Sequence, residues 1–197
     1  MATRLTRAER AAATRRDLLE VAERRFFADG YHGTRLDDIA EEAGYTKGAV
    51  YSAYQSKAGL FLALYDQVVE QRICEIRALL SAHETEDDRL GALARQPVDD
   101  RNGRFLVLAI EFLTHAAHDG ELLEVISKRH AHLRASLAEL APSGGPLSPE
   151  AWAVMTLALS NGLALERLIN PRGVPGDLMA SVQRSVVMPA GSAEPEH

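Results

Sequence analysis

The sequence predicts an all-α fold. Apolar residues recur with helical spacing along most of the chain, and no stretch alternates apolar and polar residues between turn signals. Hydroxyl side chains that can cap helices, and glycine or proline stops, recur at helix-length intervals. With 46% apolar and 25% charged residues, the 197-residue chain has the composition of a folded protein. We expect a small N-terminal helical module, then a larger helical domain, with about nine helices in all.

Capping signals predict four helices in the first part of the chain. Thr6-Arg7-Ala8-Glu9 has the pattern of a capping box, and the helix that it starts is predicted to end at Gly30. Thr34 is predicted to cap a short helix over 35–43 that ends at Gly44. Thr46 and Ser56 are predicted to cap the next two helices.

The later helices are longer. Ser148-Pro149-Glu150 combines a capping hydroxyl, a first-turn proline and an acid at the positive helix end, which predicts a helix from Pro149 to Ile169. Other helices are predicted over 60–81, 104–117, 121–140 and 176–187. A weak helix that ends near Pro97 is predicted after the polar break at 83–88. The predicted domains are residues 1–56, residues 57–188 and a disordered tail, 189–197.

Charge is distributed unevenly. Residues 1–60 carry ten basic and nine acidic groups, whereas the whole chain has a net charge of -6. A basic end on an acidic protein suits an oriented contact with a polyanion, although a solvated helix face would have the same composition. The N-terminal arginines, Arg15 and Arg16 among them, would either form an arm that reaches DNA or remain solvated.

The segment 34–57 predicts a helix-turn-helix, in which the first helix braces and the second can enter the major groove of DNA. Val50 and Tyr54 are four residues apart and are predicted to point inward with Ile39 and Ala40. The remaining residues of this helix and its cap are polar or small and would face solvent or ligand: Thr46, Lys47, Gly48, Ala49, Tyr51, Ser52 and Ala53. A helix N-terminus with hydroxyl and ammonium groups suits phosphate, and Gly48 permits a close approach.

The segment 36–61 contains the pattern Leu36-x-x-Ile39-Ala40-x-x-Ala43-Gly44-x-Thr46-Lys47-Gly48-x-x-Tyr51-x-x-Tyr54-x-x-Lys57-x-x-Leu60-Phe61. This pattern resembles the DNA-binding domain of TetR-family transcriptional regulators. The resemblance implies that Thr34 and Lys57 hold phosphates and that Tyr51 donates its hydroxyl to the DNA backbone. Two positions depart from the family pattern: Ala53 lacks a polar side chain, and Gly59 is expected to weaken the fourth helix by up to ~1 kcal/mol. The predicted DNA contacts are Thr34, Arg35, Thr46, Lys47, Gly48, Ala49, Tyr51, Ser52 and Lys57.

The larger domain is predicted to bind a small organic effector and a second copy of the chain. The helix 149–169 is apolar almost all round, so it needs burial both within the subunit and against a partner. Predicted homodimer contacts are Ala151, Met155, Ala158, Gly162, Leu165, Leu178, Val182 and Val186. Seven residues of this domain are predicted to line an aromatic, partly acidic pocket, which would suit a flat or cationic effector. The alternative is that they belong to the hydrophobic core and line no pocket. These residues are Phe105, Leu108, Glu111, Phe112, His115, Trp152 and Met155.

The sequence therefore predicts a ligand-responsive DNA-binding regulator, a repressor that releases a palindromic operator when its effector binds. The alternative is an all-helical ligand-binding scaffold or enzyme with a vestigial helix-turn-helix, but no diagnostic catalytic motif is present. Glu111, His115 and His118 have spacing that could approach a metal, but no further ligand can be named, so no metal or cofactor is expected. A single cysteine and no signal peptide or membrane span predict a cytoplasmic protein.

Overall fold

The computed structural model describes residues 6–85, 88–89, 91–92, 100–142 and 146–187. Eight helices have their bounds within these residues, and none of the residues described lies in a β-strand, which confirms the all-α prediction. The helix predicted to end near Pro97 falls largely outside the described residues, as does the tail 189–197. The helices are α1 (Arg7–Gly33), α2 (Leu36–Glu42), α3 (Lys47–Tyr54), α4 (Lys57–Ser81), α5 (Asp100–Ala116), α6 (Gly120–Ala138), α7 (Pro149–Ile169) and α8 (Leu178–Val187).

The chain divides into two compact units. Unit 1 comprises Met1–Glu70 and Val107–Asp119, and unit 2 comprises Gln71–Leu106 and Gly120–His197. Helices α4 and α5 therefore supply residues to both units. The predicted domain boundary between residues 56 and 57 stays a prediction. No helix in the described ranges is long and apolar enough to cross a membrane.

Helix α1 begins and breaks where the sequence predicts. The Thr6 hydroxyl accepts a hydrogen bond from the Glu9 N–H at 3.2 Å, and the Thr6 N–H donates to the Glu9 carboxylate at 2.6 Å, which confirms the capping box. At Gly30 the backbone adopts φ 74° and ψ 173°, a conformation that is essentially restricted to glycine. Gly30 thus interrupts the helix, and one further turn ends at Gly33.

The prediction that Thr34 caps α2 is wrong. Arg35 occupies the N-cap position of α2, with no side-chain capping bond. Thr34 is only 2% exposed, and its hydroxyl donates to the Gly30 carbonyl at 2.7 Å. The Thr34 N–H donates to the same carbonyl at 3.3 Å, so Thr34 is the C-cap of α1 and its hydroxyl is not available to cap α2.

Unit 1 has a core built on aromatic residues. Phe61 packs against Phe26, Tyr31 and Phe112 with ring centroids 5.3, 5.3 and 4.5 Å away. These separations are those of favourable aromatic pairs. Phe112 lies on α5, so this helix completes the core beneath the first four helices. The other fully buried side chains of this unit include Leu18, Ile39, Val50, Leu60 and Leu64.

The joint between α3 and α4 requires glycine at position 59. Gln55 has a positive φ of 66°, and the Ser56 N–H turns back to donate to the Tyr54 carbonyl at 2.8 Å. The Ser56 hydroxyl accepts from the Gly59 N–H at 2.9 Å. A Cβ atom at position 59 would overlap the Tyr54 carbonyl oxygen. The sequence predicted only that Gly59 weakens α4. The structure shows in addition that position 59 has no room for a side chain.

In unit 2, α6 packs against α7, which in turn packs against α8. The Ser148 hydroxyl accepts from the Ala151 N–H at 3.2 Å and Pro149 opens α7, as predicted. One face of α7 is buried and contains Trp152, Ala153 and Leu163. The opposite face is exposed although it is apolar, and its members are Ala151, Val154, Ala158, Gly162, Leu165 and Ile169.

Candidate DNA-recognition site

Helix α3 is a short helix whose N-terminus carries polar side chains. The Thr46 hydroxyl accepts a hydrogen bond from the Ala49 N–H at 3.3 Å, which confirms Thr46 as the N-cap. The helix has eight residues, so it is about 12 Å long and comparable to the width of the major groove of B-DNA.

The two faces of α3 differ sharply in burial. Val50 is 1% and Tyr54 7% exposed, which confirms that both point inward. Tyr51, by contrast, is 46% exposed. Among the other residues predicted to contact DNA, Thr34 is buried, Ala49 and Lys57 are half-buried, and Arg35, Thr46, Lys47, Gly48 and Ser52 are exposed. The exposed face of α3 is therefore polar and small, as groove entry requires.

Arg15 on α1 fixes the C-terminal end of α3. Its guanidinium donates to the Ala53 carbonyl and lies 4.7 Å from the centre of the Tyr54 ring. In return, the Tyr54 hydroxyl donates to the Arg15 carbonyl at 2.6 Å. A cation at the C-terminus of a helix is also favoured by the helix dipole. Sequence reasoning missed this role, because a scattered arginine on α1 does not reveal a partner 38 residues away.

We expect Tyr54→Phe to lower the free energy of unfolding by about 1 kcal/mol, because it removes a part-buried hydrogen bond between α1 and α3. Urea denaturation followed by circular dichroism measures this loss. Tyr51→Phe is the matched control, since its exposed side chain should leave the unfolding free energy unchanged. Equal effects of the two substitutions would contradict the assignment of the inner face.

Lys47, at the first turn of α3, forms an ion pair with Asp37 of α2. Its Nζ lies 2.8 Å from Asp37 Oδ1, and the hydrogen bond to this carboxylate raises the pKa of Lys47. The side chain of Lys47 is nevertheless 57% exposed. Asp37 thus holds a protonated ammonium group at the helix N-terminus while leaving it accessible.

Lys57, the first residue of α4, is engaged within unit 1. Its Nζ donates to the His32 carbonyl at 3.2 Å and lies 4.7 Å from the centre of the Tyr31 ring. Burial lowers the pKa of Lys57, opposed by the nearby carboxylate of Glu111. The ammonium group therefore fastens α4 to the end of α1.

Four residues of the predicted effector pocket belong to unit 1 and have contacts there. The Glu111 carboxylate accepts from the Tyr31 N–H at 2.8 Å, directly after the break at Gly30. The His115 ring lies 5.2 Å from the Tyr31 ring and 5.8 Å from the His32 ring. Leu108 and Phe112 are buried. These contacts join α5 to the C-terminal end of α1, and no local pattern in the sequence predicts them.

The other three predicted pocket residues, Phe105, Trp152 and Met155, belong to unit 2, so the pocket as a whole stays a prediction. Phe105 and Trp152 are buried and Met155 is half-buried. In the described ranges, no three His, Cys, Asp or Glu side chains are arranged to hold a metal ion, the set Glu111, His115 and His118 included.

The predicted dimer contacts occupy mainly the exposed face of α7. Ala151, Ala158, Gly162 and Leu165 are exposed and Met155 is half-buried. On α8, Leu178 and Val182 are half-buried, and the side chain of Val186 lies outside the described residues. Val154 and Ile169 extend the apolar face and are 47% and 71% exposed. Val154 was expected on another face of the helix, whereas it lies among the exposed residues.

A brace helix, a tight turn and a second helix with a polar outward N-terminus define a helix-turn-helix protein of the DNA-binding class. The family model described as bacterial regulatory proteins of the tetR family matches residues 18–64. A second model, for the C-terminal part of BetI-type transcriptional repressors, matches residues 86–188. The chain belongs to the TetR family of transcriptional regulators.

Similar proteins cover nearly the whole chain. The transcriptional regulator TtgR of Pseudomonas putida is 32% identical over 193 residues, with 90% of each chain covered. A TetR-family regulator from Rhodococcus sp. shares 20% identity and a TM-score of 0.67, over 89% of this chain and 99% of that one. A regulator from Saccharomonospora viridis, solved in complex with choline, shares 21% identity and a TM-score of 0.65, over 88% and 95%.

Proposed function

We propose that this regulator is a homodimeric repressor that binds a palindromic operator through α3 and releases it when a small organic effector binds. The observation that carries the proposal is the division of α3 into a buried face, Val50 and Tyr54, and an exposed face with Lys47, Tyr51 and Ser52. An exposed polar helix braced by a second helix can enter the major groove, where base edges are accessible.

The exposed apolar face of α7 supports the homodimer. Leu165 and Ile169 are 42% and 71% exposed, and large apolar patches on a folded chain mark interaction surfaces. A hollow of about 780 Å³ opens on the same face, lined by residues that include Leu147, Val154 and Met155. Burial against the same face of a second copy would give a four-helix contact with two-fold symmetry.

A dimer also explains how short helices select DNA. Two copies of α3 separated by one helical turn, ~34 Å, would reach successive major grooves and select a palindrome. Two observations support the proposed binding of an effector. The chain belongs to a family of transcriptional regulators, and unit 2 is a second compact helical unit in addition to the one that contains α3. The Saccharomonospora viridis regulator was solved in complex with choline, so a protein of similar fold binds a small organic molecule.

Selection of bound sequences from a random duplex pool tests the proposal. The expected result is enrichment of one palindrome, followed by a steep loss of affinity with salt in an anisotropy titration of that duplex. Small molecules can then be screened for release of the labelled duplex. If no sequence is enriched and no duplex binds even at low salt, the proposed operator binding is refuted.

We expect Lys47→Gln to weaken binding to the selected duplex and to reduce the slope of log K against log salt by about one, because one phosphate contact is lost. Anisotropy at several salt concentrations measures both quantities. Lys128→Gln provides the matched control. Lys128 is an exposed lysine of unit 2 that is also paired with a carboxylate, that of Glu124 at 2.7 Å. An unchanged slope for Lys47→Gln would remove Lys47 from the DNA interface.

A further inference from the structure

The buried face of α7 contains two polar groups without a hydrogen-bond partner among the described residues. Trp152 is 6% exposed, and its indole Nε1 finds no acceptor in this part of the chain. Thr156 lies one turn further along the same face, and its hydroxyl oxygen is also buried and unpaired there. A helical threonine hydroxyl often donates to the carbonyl four residues earlier, but Thr156 does not.

Such groups are costly unless something satisfies them. Buried polar atoms in folded proteins nearly always have a partner, and an exception points to a bound water, ion or ligand. Here two exceptions lie side by side on one helix face whose other buried members, Ala153 and Leu163, are apolar. An apolar wall with a few convergent polar groups is the usual chemistry of a small-molecule site.

We propose that Trp152 and Thr156 bind the carbonyl oxygen of a neutral organic effector. This inference rests on the proposed effector-dependent function and specifies the chemistry of the ligand. The indole N–H can only donate a hydrogen bond, and the threonine hydroxyl can donate a second one. A single carbonyl oxygen has two lone pairs and accepts both.

The same groups select against charged ligands. A cation would meet the positive end of the indole N–H, and neither Trp152 nor Thr156 offers a counter-charge. A carboxylate would have to lose its hydration against an apolar wall without a cation among these residues, which is far more costly than burial of a ketone. The proposed contact therefore favours a neutral hydrogen-bond acceptor, whereas the sequence predicted a flat or cationic effector.

Trp152 is the single tryptophan of the chain, so its indole N–H gives one resolved signal in a proton–nitrogen correlation spectrum. Acetophenone and ethylbenzene are suitable probes, because they share a ring and two-carbon chain and differ in the carbonyl group. The full-length ¹⁵N-labelled protein is titrated with each. We expect acetophenone to move the indole proton downfield, as hydrogen bonding deshields it, and ethylbenzene not to do so.

Thr156→Val tests the second hydrogen bond while keeping the shape of the side chain. We expect it to weaken acetophenone binding about 2–10-fold, as loss of one hydrogen bond does, and to leave ethylbenzene binding unchanged. Ser160→Ala, which removes an exposed hydroxyl one turn further along α7, is the control and should change neither affinity. The backbone amide signals in the same spectra report whether each variant is folded.

Three results would overturn the proposal: no movement of the indole signal with either probe, equal movement with both, or an unchanged acetophenone affinity in Thr156→Val. None of these measurements uses DNA. Failure of the carbonyl site would therefore leave operator selection unaffected. Failure of operator selection would instead refute the proposed function. Binding of acetophenone and ethylbenzene could still be measured.

Discussion

Gly59→Ala is expected to lower the free energy of unfolding by about 2 kcal/mol or more, the cost of forcing extra atoms into a packed site. The added Cβ would overlap the backbone carbonyl oxygen of Tyr54, which cannot move aside as a flexible side chain could. Relief would require α4 to shift from the end of α3, against the hydrogen bond from the Ser56 N–H to the same carbonyl. Operator affinity should fall as well, since this joint orients α3.

Gly48→Ala is the matched control, because it makes the same change in the neighbouring helix of the same unit. The nearest atom to a Cβ at position 48 is the Thr46 hydroxyl oxygen at 3.8 Å, an ordinary contact. We expect an unchanged or slightly higher stability, since alanine favours helices over glycine by up to ~1 kcal/mol. Urea denaturation compares the two variants. A Gly59→Ala protein as stable as the Gly48→Ala protein would contradict the close approach at the joint.

Leu165→Glu is expected to convert the protein to a monomer and to lower affinity for the palindromic duplex by about 10²-fold. The side chain is 42% exposed in the single chain, so the substitution should leave the fold intact. In the proposed dimer, however, the new carboxylates would be buried in an apolar interface without partners. Loss of the dimer removes the second half-site contact and its effective-concentration advantage.

Leu113→Glu makes the same change at a leucine of similar exposure, 48%, on α5 in unit 1. We expect this variant to remain a dimer with unchanged DNA affinity. Sedimentation equilibrium gives the mass of each species, and anisotropy gives the affinity. A dimeric Leu165→Glu protein, or dissociation by Leu113→Glu in its place, would show that the exposed face of α7 is not the dimer interface.

Local signals in the sequence predicted the helices well. The Thr6 capping box and the Ser148 cap are confirmed, because each depends on residues within one turn of the helix. The inward direction of Val50 and Tyr54 follows from their spacing of four residues and is also confirmed. Periodicity within a short segment therefore defined both the recognition helix and its exposed face.

Contacts between distant segments were not predictable in this way. Glu111 was predicted to line the effector pocket because it lies beside the stripe of Phe105, Leu108 and Phe112, but this pattern gave no sign that its carboxylate accepts from the Tyr31 N–H, 80 residues away. The wrong cap at Thr34 has a local origin instead, because its hydroxyl donates to the Gly30 carbonyl of the preceding helix. Gly59 is a second local case, because its need for glycine arises from the Tyr54 carbonyl in the turn between α3 and α4. Helix propensity predicts only that a glycine destabilises a helix, and it gives no sign that a site has no room for a side chain.

The central claim, that two copies of α3 recognise one palindromic operator, is tested most directly by comparing the selected duplex with a duplex that contains only one of its half-sites. Anisotropy titrations of both, with the stoichiometry measured at saturating DNA, provide the comparison. We predict two chains per full operator and an affinity at least ~10²-fold higher than for the half-site duplex. One chain per duplex, or equal affinity for the full and half operators, would contradict recognition by a dimer.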